Sequence, residues 1–337
     1  MVQQVLTVLL TAVAALYLVG LSAYFVALAR GRARAGPLGL AREVTPYLFM
    51  PVPVIVGAGV VLRAVAPLVL SVPSVVLGAM ALKPVWLVRR GRARPGPATT
   101  RFRLLTLNAG GNARAPAAPE IERTVGELDP DIVALQELTP EALARLQCSL
   151  ADQYPYRHGG WPAIVFSRLP IRAGCALRFP SLGSDAQRVE IEIAGRILVL
   201  FNVHITRPGY DLHGRQAPLR LVRDYDPARR DTHAALVYAQ LGRALPACVL
   251  AGDLNATEWS HPYQVISATL FDAFRDVRRG WGNTYRVGLW RGRWHVRVPI
   301  ARIDYVFRSR ELVTFDARLG PDSGSEHLPV VAELGFR

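Results

Sequence analysis

Six short polar stretches carry the residue types that could do chemistry. Asn108 stands in LLTLNAGG and Glu137 in DIVALQE. Asn202 and His204 stand in LVLFNVHIT, and Asp253 and Asn255 in VLAGDLNATEW. Asp304 sits in ARIDYVF, and Glu326 and His327 in GSEHLPV. Each stretch adjoins an apolar run of strand type. Carboxylates, carboxamides and imidazoles at strand ends in an α/β pattern can bind a cation, accept a proton or hydrogen-bond a ligand oxygen. Each also has a plainer reading. Asp253 and Asn255 can form an Asx-type turn that ends a strand. Asn108 can be a turn residue, Glu137 can open the helix that follows at Thr139-Pro140, and His204 can be a core histidine. Asp304 is harder to explain away, because a buried carboxylate needs a partner. His327 is a candidate for that partner. The recurrence of such residues at successive strand ends favours a site. The candidate donors are mostly oxygens and no CxxC pair is present, so Mg2+ or Mn2+ suits them better than zinc.

The elements that must position these residues occupy the second part of the chain. Strand-like runs are expected at Arg103–Leu107, Ile132–Leu135, Ala163–Phe166, Val249–Ala251, Ile303–Phe307 and Pro329–Leu334. A hairpin is expected from Val189–Ile193 to Ile197–Val203, turning at Ala194-Gly195. Helices are expected at Glu120–Leu128, Glu141–Leu150 and Thr232–Leu245. The pattern predicts a layered α/β sandwich, two packed mixed sheets flanked by helices, over residues 102–337.

The first part is different. The 337 residues carry a net charge of +14 and a mean hydropathy of +0.20. Residues 1–88 read as a transmembrane helical region. Spans are expected at about 5–28, 47–62 and 64–82, with one span plus a re-entrant piece as the alternative. The uncharged start also resembles a signal peptide. It lacks a basic n-region and its apolar run is too long, so a retained helix is expected. A Pro/Gly/Arg-rich stretch, 89–101, reads as a linker. The first 100 residues hold ten Arg and Lys against one acid, Glu43, which leaves +5 for the remainder. Most of the basic excess thus flanks apolar segments, where it bears on lipid headgroups and topology more than on nucleic acid.

In this order LNAGG, LQE, NVH, GDLN, RIDY and SEH resemble the motifs of the endonuclease/exonuclease/phosphatase superfamily, the deoxyribonuclease-I-like fold. AIVFSRLPI (163–171) also resembles a family strand. The membrane-anchored arrangement is similar to bacterial members related to teichoplanin-resistance membrane phosphatases. The resemblance implies a Mg2+- or Mn2+-dependent hydrolase of a phosphomonoester, phosphodiester or diphosphate. It implies that Glu137 binds the metal with Asn108 close by, and that Asp253 orients or deprotonates the attacking water. Asn255 would hold a phosphoryl oxygen, His204 and His327 would contact the phosphoryl group, and Asp304 would orient His327. Glu326 stands where the family usually has aspartate, which leaves its metal role open. Asn202, Arg215 of the Arg207–Arg230 segment, and Arg291 and Arg293 among Trp290 and Trp294 are candidate substrate contacts.

The implied partners are the bilayer and a phosphorylated substrate, with a lipid-linked phosphate preferred to nucleic acid. A nuclease is the first alternative. A catalytically dead scaffold that binds phosphorylated ligands is the second. The multi-pass arrangement places the domain in the cytoplasm by the positive-inside rule. The resemblance places it outside, which is the side expected here.

Overall fold

Sequence character changes near Leu87, and so does the architecture. The computed structural model describes residues 1–88, 100–110, 118–182, 186–209, 217–242, 247–291 and 294–337. It divides into two units, Met1–Trp86 with Pro208–Ala228, and Leu87–Arg207 with Arg229–Arg337.

The first unit is helical. Helix α1 (Val2–Ala29) is uncharged, with a mean hydropathy of 2.3. At about 1.5 Å per residue it is about 42 Å long, enough to cross a hydrocarbon core of about 30 Å. Among the described residues it is the one helix long and apolar enough to do so unaided. Next come α2 (Gly36–Glu43), a 3-10 turn (Thr45–Phe49), α3 (Pro51–Val61), α4 (Val65–Ala81) and α5 (Lys83–Trp86). The second and third expected spans correspond to α3, of 11 residues, and α4, of 17. Arg63, at φ 52°, turns the chain between them. Hydroxyl groups tie α1 to the 3-10 turn. The Tyr17 hydroxyl donates to the Leu48 carbonyl at 2.7 Å, and Tyr24 bonds Thr45 at 2.8 Å.

The second unit holds two six-stranded sheets. One runs β13 (Leu312–Leu319), β14 (Val330–Phe336), β1 (Arg101–Asn108), β2 (Ile132–Gln136), β4 (Ala163–Ser167), β3 (Tyr156–Gly160). The other runs β5 (Ile171–Leu177), β6 (Ala186–Ile193), β7 (Arg196–His204), β8 (Cys248–Asp253), β12 (Asp304–Arg308), β9 (Phe271–Asp272). A separate hairpin pairs β10 (Tyr285–Arg291) with β11 (Trp294–Ala301). The β1–β2 and β7–β8 pairs are parallel. Parallel pairs need crossovers, which here contain α6 (Ala118–Leu128) and α9 (Ala228–Leu241). Helices α7 (Pro140–Ser149) and α10 (His261–Ser267) complete the outer layers. The fold is the expected α/β sandwich. The β6–β7 turn falls at Ala194-Gly195, both at positive φ, as the sequence suggested. The Thr232–Leu245 helix instead starts at Ala228 and ends at Leu241. Residues 89–99 of the linker lie outside the described residues.

The core between the sheets explains where the chemistry lies. Phe102, Leu104, Ile132 and Ala134 pack against Leu198, Leu200, Val249, Ala251 and Val306. Side chains alternate faces along a strand. The next inward positions are therefore Thr106 and Asn108, Gln136, Asn202 and His204, Asp253, and Asp304. One inward face of the sandwich thus runs from apolar to polar toward one end.

Candidate active site

Buried polar groups need partners, and a middle layer supplies them below the site. Gln136 Nε2 donates to Thr106 Oγ1 at 2.9 Å and to Asn202 Oδ1 at 2.6 Å. Asn202 Nδ2 donates to Gln187 Oε1 at 2.9 Å. Asn202 is 1% exposed. Its amide is engaged between the sheets, with Gln136 on one and Gln187 on the other.

Above that layer Asn108 joins two carboxylates. Its Nδ2 donates to Asp253 Oδ2 at 3.0 Å and to Glu137 Oε1 at 3.2 Å. Its Oδ1 accepts from Gly110 N, which fixes the amide. Glu137 follows inward-facing Gln136, so an extended backbone would turn it toward the helices. Its φ of 51° re-aims it into the site. The helix it was weighed as opening begins at Pro140, capped by Thr139 Oγ1, which accepts from Ala142 N. His204 Nε2 lies 2.8 Å from Glu137 Oε1 and 3.9 Å from Asp253 Oδ2.

Asp253 ends β8 in register with His204 on one side and Asp304 on the other. The Asx turn weighed from sequence is present, with Asn255 N donating to Asp253 Oδ1 at 2.6 Å. That turn coexists with the cluster. Asn255, at φ 47°, donates through Nδ2 to the Ile205 carbonyl at 2.8 Å and to Asp253 Oδ2 at 3.2 Å, and lies 3.4 Å from His204 Nε2. The partner expected for Asp304 is found. His327 Nδ1 lies 2.9 Å from its Oδ2.

These contacts divide the charges. Burial raises the Asp253 carboxyl, the Asp304 charge adds to it, and the group reaches about 6. Burial also pushes Glu137 up, but the His204 hydrogen bond and charge, with Asn108 and His327, outweigh it and hold it at about 2. Burial pulls His327 down, yet the Asp304 charge and hydrogen bond lift it to about 9. In His204 the Glu137 hydrogen bond and the Asp253 charge overcome burial and raise the imidazole.

Two sets of ligand atoms lie within 4.8 Å of one another: Glu137, His204 and Asp253, and Asp253, Asp304 and His327. Carboxylate oxygens with imidazole fit a divalent cation, and no cysteine contributes. Glu326 enters neither set; its carbonyl accepts from Arg286 N at 2.8 Å. Arg215 and Arg293 lie outside the described residues, and Arg291 pairs through its backbone with Trp294.

Three residues escaped the sequence reading. Gln136 directly precedes Glu137, and alternation from Ala134 could have marked it as inward. Ser325 Oγ donates to the Asn108 carbonyl at 2.7 Å and accepts from His327 N at 3.0 Å. Thr284 Oγ1 accepts from Ile303 N and Asp304 N. Their roles rest on long-range contacts that short motifs do not encode.

Residues 105–327 match the family model described as Endonuclease/Exonuclease/phosphatase family. No curated protein matches in sequence. Solved structures share the fold. An endonuclease/exonuclease/phosphatase from Beutenbergia cavernae is 22% identical with a TM-score of 0.53, over 70% of this chain and 72% of that one. A Bacteroides vulgatus protein of the same description is 17% identical with a TM-score of 0.52, over 71% and 100%. The D. rerio TDP2 complexed with single-strand DNA product is 16% identical with a TM-score of 0.53, over 70% and 99%.

Proposed function

Because the chain belongs to the endonuclease/exonuclease/phosphatase family, we propose that it is a membrane-anchored, Mg2+- or Mn2+-dependent phosphoester hydrolase, with a lipid-linked phosphate as the preferred substrate. The observation that carries the reading is the convergence of Asn108, Glu137, His204, Asp253, Asn255 and the Asp304–His327 pair at one end of the inter-sheet core. The lipid-linked preference draws on α1 and on the basic residues beside it.

Glu137, with Asn108 beside it, would hold the cation, which would supply Lewis acidity toward a phosphoryl oxygen. The chain's own groups do the rest. Asp253, near 6, is mostly ionised at neutral pH and accepts a proton from the attacking water. Asn255 and His204 hydrogen-bond the phosphoryl oxygens as negative charge spreads over them. His327, near 9, stays protonated and donates to the leaving oxygen, while Asp304 fixes its ring.

The test is hydrolysis of bis(p-nitrophenyl) phosphate by the full chain in detergent with Mg2+ or Mn2+. Asp253→Ala should lower kcat at least about 100-fold, and chelation should abolish turnover. A variant as fast as the wild type would defeat the reading. Faster turnover of plasmid DNA than of a polyprenyl diphosphate would reverse the substrate preference.

A further inference from the structure

A buried arginine stands behind the cluster and takes no direct part in the chemistry derived for it. Arg230 lies in the first turn of α9 and is 1% exposed. A guanidinium taken out of water needs paired and hydrogen-bonded surroundings. Part of that need is met locally. Arg230 Nε and Nη2 donate to Asp231 Oδ1 at 3.0 and 2.9 Å, and the Asp231 side chain is 24% exposed. A further donor is spent at a distance in the chain: Nη1 donates to the Asn255 carbonyl at 3.1 Å.

The residue at the far end of that bond has a backbone that needs holding. Asn255 lies just past β8 at φ 47°. A residue other than glycine is uncommon in that region. It persists there when its surroundings over-determine it. The conformation has a direct consequence at the site. Asn255 Nδ2 reaches the Ile205 carbonyl and Asp253 Oδ2, and lies 3.4 Å from His204 Nε2. The neighbouring backbone groups are fixed from other directions. Asn255 N donates to Asp253 Oδ1, and the Ala256 carbonyl accepts from the Tyr305 hydroxyl at 2.9 Å. Between them, the Asn255 carbonyl is fixed from α9.

We propose that Arg230 is a positioning residue: it holds the Asn255 carbonyl so that the Asn255 amide stays aimed at the phosphoryl group. The role rests on the hydrolase reading. A packing role alone predicts something different. Loss of packing lowers stability and acts on all the site residues together. Positioning acts through Asn255, so its effect disappears once the Asn255 amide is gone. Lysine in place of Arg230 keeps the charge and loses the planar fork that bonds Asp231 and Asn255 together.

The experiment is a double-mutant cycle on the full chain in detergent, with bis(p-nitrophenyl) phosphate and Mg2+. Arg230→Lys should lower kcat about tenfold, the size of one misaimed hydrogen bond, with KM changed less than about twofold. In Asn255→Ala the same change should cost less than about twofold further. Asp231→Asn loosens the fork at a partly exposed position, so it keeps the test open if Arg230→Lys does not fold. It should lower kcat at least about threefold, and that loss too should vanish in Asn255→Ala. Arg308→Lys, at a buried arginine bonded to Asp276, should lower the urea midpoint and leave kcat unchanged. Equal factors with and without the Asn255 amide would overturn the proposal. So would wild-type kcat in both Arg230→Lys and Asp231→Asn, or an equal loss in Arg308→Lys. If the wild type does not hydrolyse the ester, the hydrolase reading falls alone, and the cycle is read in affinity for orthophosphate by calorimetric titration with Mg2+. There the same loss confined to the Asn255 background supports Arg230, and equal factors or no phosphate binding overturn it.

Discussion

Asp253 and His327 need opposite protonation states at the same pH, and Asp304 sits between them. Its charge raises both groups. The proposed reaction needs His327 protonated, so kcat/KM should fall as pH rises through about 9. In Asp304→Asn the charge that lifts His327 is gone, and the basic limb should move down toward the ordinary histidine range, near 6.5. Rates between pH 5 and 10 decide this; a limb that stays near 9 in the variant would remove Asp304 from the role. The same contact enters stability. The folded state holds the His327 proton more tightly than the unfolded chain does. The contribution is therefore fully present below pH 6.5 and is lost as pH rises through about 9. Urea midpoints of metal-free protein at pH 6 and pH 10 should differ in that direction, and by less in Asp304→Asn.

At the scale of elements the β7–β8 pairing does most to build the site, because it sets His204 beside Asp253. Gly252 makes that approach feasible. Its φ is 137°, and a Cβ there would come within 1.9 Å of the Val203 carbonyl oxygen. Gly252→Ala should cost roughly 3 kcal/mol in urea unfolding, and activity should fall more than stability alone explains. Wild-type stability in that variant would show that the strands can part without loss. A buried ionic network steadies the start of β12. Arg302 bonds both Glu258 and Asp272, and Arg275 also bonds Glu258. Burial raises Asp272, but Arg302 more than offsets it and holds the carboxyl down. Glu258→Gln would leave buried guanidiniums under-paired and should destabilise by roughly 3 kcal/mol; an unchanged urea midpoint would count against it. These elements were unevenly legible in the sequence. The apolar runs announced β1, β2, β7, β8 and β12, and their polar ends announced Asn108, Asp253 and His204. Strand β5 has little apolar signal because Arg172 to Ala176 are exposed on both of its faces. The inward turn of Glu137 depends on a left-handed φ that a glutamate does not signal. Asn202 stood in the right motif, yet its amide faces Gln187 on the neighbouring strand and Gln136 on the other sheet, and the second contact depends on how the two sheets pack.

At the scale of the molecule the excursion Pro208–Ala228 bears on sidedness. It leaves the two-sheet unit after β7 and returns at α9, yet it belongs with the apolar helices. Its helix α8 (Ala217–Asp224) packs against α2, and Gly36 N donates to the Tyr225 carbonyl at 2.7 Å. A 21-residue excursion that starts and ends in one folded domain lies on that domain's side of any bilayer. We propose that the α1–α3 connection, which it touches, lies there too. If α1 crosses a bilayer, the N-terminus faces the opposite side, and α3 and α4 must together return the chain to where α3 began. Their lengths, about 16 Å and 25 Å at 1.5 Å per residue, fall short of a core of about 30 Å. A shallow hairpin turning at Arg63 meets this requirement, and so do two spans in a locally thinned bilayer. One further span alone does not. Single cysteines in place of Leu38 on α2 and Val222 on α8, both exposed, should therefore react with an impermeant maleimide from the same side of intact cells, with Cys148 and Cys175 replaced by serine. A cysteine at Val2 should react from the other side. Labelling of the Leu38 and Val222 positions from opposite sides would break the α2–α8 contact as a feature of the membrane-bound protein and restore the arrangement with one further span.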